Sequence, residues 1–122
     1  MNKLLTIIIP SYRSKKLILS ILKRYSKKFK IIIVENSYDI LLKEIINKKY
    51  NNVDVFLKKN VGYGRAVNFA SRKVKTKYFF VMNPDSKIYE NTLPRLINAA
   101  KKFHKFGATV FLGGSIINKG GQ

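Results

Sequence analysis

Four largely apolar runs, rich in β-branched residues, alternate with four segments of helical spacing. The runs are LLTIII (4–9), KIIIVE (30–35), VDVFL (53–57) and KYFFVM (77–82). Runs this short, with a period that favours neither face, read as buried strands. Between the first two lies 14–28, with Leu17, Ile18, Ile21, Leu22 and Tyr25 at helical intervals and Ser14 placed as an N-cap. Residues 39–50 repeat the pattern through Ile40, Leu41, Ile45 and Ile46. A helix opened by glycines is expected over 62–74, and another over 91–106, with Asn91 or Thr92 at its cap and Gly107 at its end. ATVFLGG (108–114) offers a fifth strand. Strand, helix, strand, helix with short connections implies right-handed βαβ units. Strands that are apolar throughout belong to a parallel sheet covered on both faces. The expected fold is therefore α/β and Rossmann-like, a mostly parallel sheet of four to five strands with helices on both faces.

The chain of 122 residues suits one domain, 1–122. It has no cysteine, which removes disulfides and thiolate metal sites. MNKLLTIIIP might suggest a leader peptide, but Pro10 ends a short apolar run and no small-residue cleavage pattern follows, so it reads as the first strand. The longest apolar runs are far below the ~20 residues that a membrane span requires.

Charge is the most extreme property: 25 Lys and Arg against 6 Asp and Glu, a net +19. Nucleic acid or an anionic membrane surface would both be attracted. Lysines outnumber arginines 20 to 5 and are scattered from Lys3 to Lys119. Phosphate and base recognition favours arginine forks. The pattern therefore argues for compositional bias over nucleic-acid contacts, and leaves peripheral membrane adhesion open.

In open α/β sheets, ligands bind beyond the carboxyl ends of the strands. The residues there are Pro10-Ser11-Tyr12-Arg13, Glu35-Asn36-Ser37, Asn60-Val61-Gly62-Tyr63-Gly64-Arg65 and Asn83-Pro84-Asp85. Two of only six acids, Glu35 and Asp85, thus fall at equivalent positions on one rim. Each alone reads equally as a turn or capping residue; both together, with Asn60 and Arg65, favour a ligand site. Gly62-x-Gly64 follows the third strand and lacks a third glycine, so it is not a dinucleotide fingerprint, and no Walker motif is present. A diphosphate would then need a carboxylate-bound divalent cation, which Asp85 can hold, and a positive fork such as Arg65.

TIIIPSYRS, IIIVENSYD, NVGYGRAVNFA and YFFVMNPDS, in this order and spacing, resemble the nucleotide-sugar-binding half of family 2 glycosyltransferases of the GT-A fold, in a rhamnosyltransferase-like subgroup. The resemblance covers residues 6–90. It implies that Pro10 and Tyr12 line the nucleobase pocket, that Glu35 and Asn36 lie against the nucleoside, and that Asn60, Gly62, Arg65 and Asn68 flank the nucleotide and sugar. It also implies that Asp85 binds Mg²⁺ or Mn²⁺ with the diphosphate, with Asn83 at the motif's first position. Arg13 stands where the family has Asn, and Glu35 where it has Asp. The family's catalytic base and most of its acceptor site belong to a second half, which is absent here. His104 and Glu90 are poor substitutes, so the catalytic base is unknown.

The resemblance implies metal-assisted transfer of a sugar from a nucleotide-diphosphate sugar to a glycan or lipid-linked acceptor hydroxyl, in the cytoplasm or at the inner membrane face. This chain would supply donor binding. The alternatives are a non-catalytic nucleotide-binding remnant or truncated frame, and a basic nucleic-acid-binding module. A sugar-phosphate nucleotidyltransferase is disfavoured because its glycine-rich first loop is missing.

Overall fold

β-branched residues crowd the backbone in a helix and pack well on a pleated surface. The isoleucine runs accordingly form the centre of a sheet. The computed structural model describes residues 2–86, 88 and 91–104. The order is β1 (Leu5–Ser11), α1 (Lys15–Tyr25), β2 (Lys30–Glu35), α2 (Ile40–Lys49), β3 (Val53–Leu57), α3 (Tyr63–Ser71), β4 (Tyr78–Val81) and α4 (Thr92–His104). All eight elements expected between residues 4 and 106 are present. The proposed fifth strand, 108–114, lies outside the described residues, as do Gly107 and Glu90.

The chain divides into two units, Met1–Asp85 and Ser86–Gln122. In the first, four parallel strands lie in the order β3-β2-β1-β4. β1 and β2 are the inner strands, and every residue of β1 is buried. β3 and β4 are edges, and Phe79 on β4 stands half exposed. Two faces follow from strand alternation. Ile8, Ile32 and Val34 pack with Ala66 and Ala70 of α3, and Phe56, Val61, Phe69, Val74 and Val81 surround them. Ile7, Ile9, Ile31 and Ile33 point to the other face and are fully buried. Right-handed crossovers place α1 and α2 on that second face, because both connections step the same way along the sheet, and α3 opposite, because β4 lies across β1. Burying each isoleucine contributes roughly 1.5–3 kcal/mol, so the inner pair dominates the stability of this unit.

Of the second unit, α4 is described. Leu93, Ile97 and Ala100 form its buried stripe, at the spacing of one helix face.

One capping expectation fails. Ser14 precedes α1 but makes no side-chain cap; its hydroxyl donates to the Tyr12 carbonyl 2.9 Å away. The group serves the loop after β1 rather than the helix. Asp39 is the working cap of α2, accepting the Leu42 N–H at 3.0 Å.

Candidate functional site

The strand order reverses at β1: β2 and β3 lie to one side, β4 to the other. Such a reversal splays the loops beyond the carboxyl ends and opens a crevice. Pro10 widens it. Alternate residues of a strand address alternate neighbours. The Ile8 carbonyl accepts Met82 N–H on the β4 side at 2.8 Å, so the position two residues on would next face β4. That position is Pro10, which has no N–H to give, and the β1–β4 pairing stops at Ile8 and Val81. On the β2 side pairing continues to Ser11 and Glu35. Pro10 itself is buried, so it shapes the crevice floor.

The loops after β1, β2 and β3 are sewn together by two buried side chains. Glu35 ends β2 and is 1% exposed. Its carboxylate accepts the Ser37 N–H at 3.1 and 3.2 Å, the Ser37 hydroxyl at 2.5 Å and the Asp39 N–H at 2.7 Å. A carboxylate offers about four lone-pair sites, and three donors engage them here, the Ser37 N–H being shared between both oxygens. Ser37 Oγ in turn accepts the Arg13 N–H at 3.1 Å. Asn36, 5% exposed, donates its N–H to the Ser11 carbonyl at 2.8 Å. Its own carbonyl accepts Asn60 N–H at 2.7 Å, and its side-chain oxygen accepts Val61 N–H at 3.4 Å.

Backbone strain collects on the same rim. Arg13, Tyr38 and Asn60 hold φ of 50°, 55° and 46°, and Gly62 holds 87°. A left-handed conformation is ordinary for Asn and Gly but costs a bulky residue such as Tyr. These four are all the positive-φ residues among the described residues, and each follows the end of a strand on the carboxyl rim. Strain of this kind persists where the surroundings over-determine it, and it clusters at functional sites. Gly62 opens α3 at a positive φ that favours glycine, although a Cβ would meet nothing within 4 Å at either Gly62 or Gly64.

The expected site residues separate into groups. Tyr12 is 47% exposed at the end of β1, with the Arg13 guanidinium 5.1 Å from its ring centre. Asn60 is exposed and acts through its backbone. Arg65 and Asn68 lie on one side of α3, where with Lys58, Val61, Phe69 and Arg72 they line a shallow cavity of about 270 Å³. The Lys58 ammonium sits 4.0 Å from the Phe69 ring centre. Asn83 and Asp85 follow β4, exposed, and Asp85 makes no hydrogen bond or ion pair among the described residues. Glu35, expected against the nucleoside, is instead enclosed by its own loop. The turn-forming alternative, open in the sequence, is the one this geometry describes.

Three residues of the rim were not among the sequence candidates. Ser37 and Tyr38 form the turn around the Glu35 carboxylate. Ser11 is 3% exposed, and its hydroxyl has no hydrogen-bond partner among the described residues. The available signal was the Glu-x-Ser spacing, which allows a carboxylate to reach back over a turn.

No three His, Asp or Glu side chains converge on a metal position among the described residues. Asp85 and the Asn83 amide are hard oxygen donors in reach of solvent. One carboxylate suits a cation whose shell is completed by phosphates and water, so the donor set fits Mg²⁺ or Mn²⁺ held jointly with a diphosphate.

Comparison with known proteins bears on the family and the fold. The family model described as glycosyl transferase family 2 matches residues 6–118. An uncharacterised glycosyltransferase of Rickettsia bellii is 30% identical over 125 residues, covering 98% of this chain and 18% of that protein. A processive diacylglycerol beta-glycosyltransferase of Mycoplasma genitalium is 30% identical over 115 residues, covering 84% of this chain and 33% of that protein. The chain thus spans well under half the length of these relatives. The crystal structure of S. aureus TarS residues 1–349 superposes with a TM-score of 0.62 at 20% identity, over 83% of this chain and 33% of that one, a likeness of fold.

Proposed function

The chain belongs to glycosyltransferase family 2, and from that premise we propose that it binds a nucleotide-diphosphate sugar at the carboxyl rim and serves its transfer to an acceptor hydroxyl. One observation carries the reading: Asp85 stands exposed, with no hydrogen bond or ion pair among the described residues, beyond the carboxyl end of β4 where a ligand of this fold binds. Asp85, with Asn83, would hold Mg²⁺ or Mn²⁺ against the diphosphate. Such a cation, when bound, neutralises the charge that develops on a departing nucleoside diphosphate. Tyr12 offers an exposed aromatic side chain for contact with a base, and Arg65 adds positive charge near the start of α3.

Deprotonation of the acceptor needs a base, and no described residue is placed to act as one. The chain alone is therefore expected to bind donor and transfer poorly. The acceptor is a sugar or a lipid-linked alcohol. A net charge of +19 supports peripheral adhesion to an anionic membrane face, in the cytoplasm. Among the described residues no helix is long and apolar enough to cross a membrane.

Calorimetric titration with UDP-, GDP- and TDP-sugars in Mn²⁺ tests the reading on wild type and Asp85→Ala. Binding by wild type with at least tenfold loss in the variant is expected. Equal binding by the two proteins would remove the metal role.

A further inference from the structure

α2 carries more apolar surface than the core takes up. Its sequence, ILLKEIINKK, has five large aliphatic residues in ten. Leu42 and Ile46, one turn apart, form its buried stripe. Ile40, Leu41 and Ile45 stay in solvent, at 52%, 67% and 39% exposure. No other helix or strand exposes more than one large apolar side chain among the described residues. Leu41 and Ile45 are four positions apart, so their side chains are neighbours on one flank of the helix. Lys48 and Lys49 follow three and four positions beyond Ile45, on the same flank, and both are exposed. Single exposed apolar residues are ordinary, whereas a group of them bordered by charge marks an interaction surface.

We propose that this flank of α2 seats on an anionic lipid bilayer, with Leu41 and Ile45 entering the interfacial layer and Lys48 and Lys49 reaching the lipid phosphates. The proposal rests on the membrane-adhesion reading above and names the surface that performs it. Charge selects the occupant. A second copy of the chain would bring +19 against +19, and that repulsion opposes a dimer. An anionic bilayer complements the charge and also takes up apolar side chains, as it does for other interfacial amphipathic helices. Lysine suits this place, because its methylene stem lies along apolar surface while the ammonium stays with water and phosphate. The two carboxylates of the segment do not reverse its sign. Asp39 is committed to the α2 cap, and Glu44 stands one turn before Lys48.

Position gives the contact a consequence. α2 follows β2 as a crossover helix, so it begins at the carboxyl rim of the sheet and runs back along it. Its first turn, with Ile40 and Leu41, therefore lies at the rim proposed to hold the donor. Seating α2 on a bilayer keeps that rim close to the surface on which a lipid-linked acceptor would lie.

The test is co-sedimentation of the full chain with vesicles of phosphatidylcholine, with and without phosphatidylglycerol. Wild type should bind the mixed vesicles and not phosphatidylcholine alone. The double variant Leu41→Gln, Ile45→Gln should bind the mixed vesicles about tenfold more weakly at unchanged melting temperature. Leu17→Gln, an exposed apolar change on α1, should bind as wild type does. The chain has no tryptophan, so Leu41→Trp places a single indole on the flank. Its emission should shift to the blue on mixed vesicles, and that of Leu17→Trp should not. Equal binding by the double variant and wild type, or no shift at Leu41→Trp, overturns the proposal and leaves adhesion by charge alone. Absence of wild-type binding overturns both the proposal and the adhesion reading, while donor binding through Asp85 stands on its own titration. A vesicle-free dimer of wild type in sedimentation velocity, lost in the double variant, would assign the flank to a second copy and overturn the proposal.

Discussion

Glu35 and Asp85 both lie at the carboxyl rim of the same parallel sheet, Glu35 as the last residue of β2 and Asp85 in the loop after β4, yet they have opposite surroundings. Glu35 ends an inner strand, is buried, and accepts from three donors of its own loop. Asp85 follows an edge strand, is exposed, and has no partner among the described residues. A buried carboxylate without donors would cost several kcal/mol, so the one beside the core must build a turn around itself. An exposed carboxylate has no such obligation and remains available to a cation. On one rim, one acid is enclosed by its own loop and the other is exposed, and the difference follows from whether the strand is inner or edge.

The contrast can be broken from either end. The largest effect is expected from Glu35→Ala, which strands the Ser37 and Asp39 N–H groups and the Ser37 hydroxyl. It should lower unfolding free energy by about 3 kcal/mol, measured by urea denaturation. Asp85→Ala should leave stability within ~0.5 kcal/mol while reducing Mn²⁺-dependent nucleotide affinity at least tenfold. Near-equal stability losses in the two variants would erase the distinction. Asp39→Ala removes the α2 cap beneath the Glu35 turn, and about 1 kcal/mol of destabilisation is expected in the same assay. A loss below ~0.3 kcal/mol would show that the Glu35 bond to Asp39 N–H holds the turn unaided. Smallest is Asp54→Asn, which breaks the half-exposed Lys30–Asp54 pair on β2 and β3. Its cost should stay under ~0.5 kcal/mol, placing acids outside the rim as a baseline for both.

Much of this was legible in advance. IIIP and KIIIVE read as buried strands of a parallel sheet, because continuous apolar runs need cover on both faces. The four loop motifs carried the family and put Tyr12, Asn36, Gly62 and Asp85 on the rim. What the residues did not reveal was the direction of particular hydrogen bonds. Ser14 looked like a cap and bonds the Tyr12 carbonyl instead. Glu35 looked like a ligand, and only the chain's turn at Ser37 and Tyr38 brings its carboxylate back against three donors. Arg65 and Asn68 were expected to flank the nucleotide and sugar, and only the structure shows that they share a cavity lining with Lys58 and Arg72.

The sequence by itself determined the strands, their parallel sense and the rim on which function must lie, since hydrophobic periodicity and the handedness of crossovers are local rules. Only the tertiary structure decided which polar side chains on that rim are free. Hydrogen-bond saturation depends on where loops distant in sequence meet: Arg13 with Ser37, Asn36 with Ser11 and with Asn60. A residue type names what a group can accept or donate, and the fold decides whether anything has already claimed it.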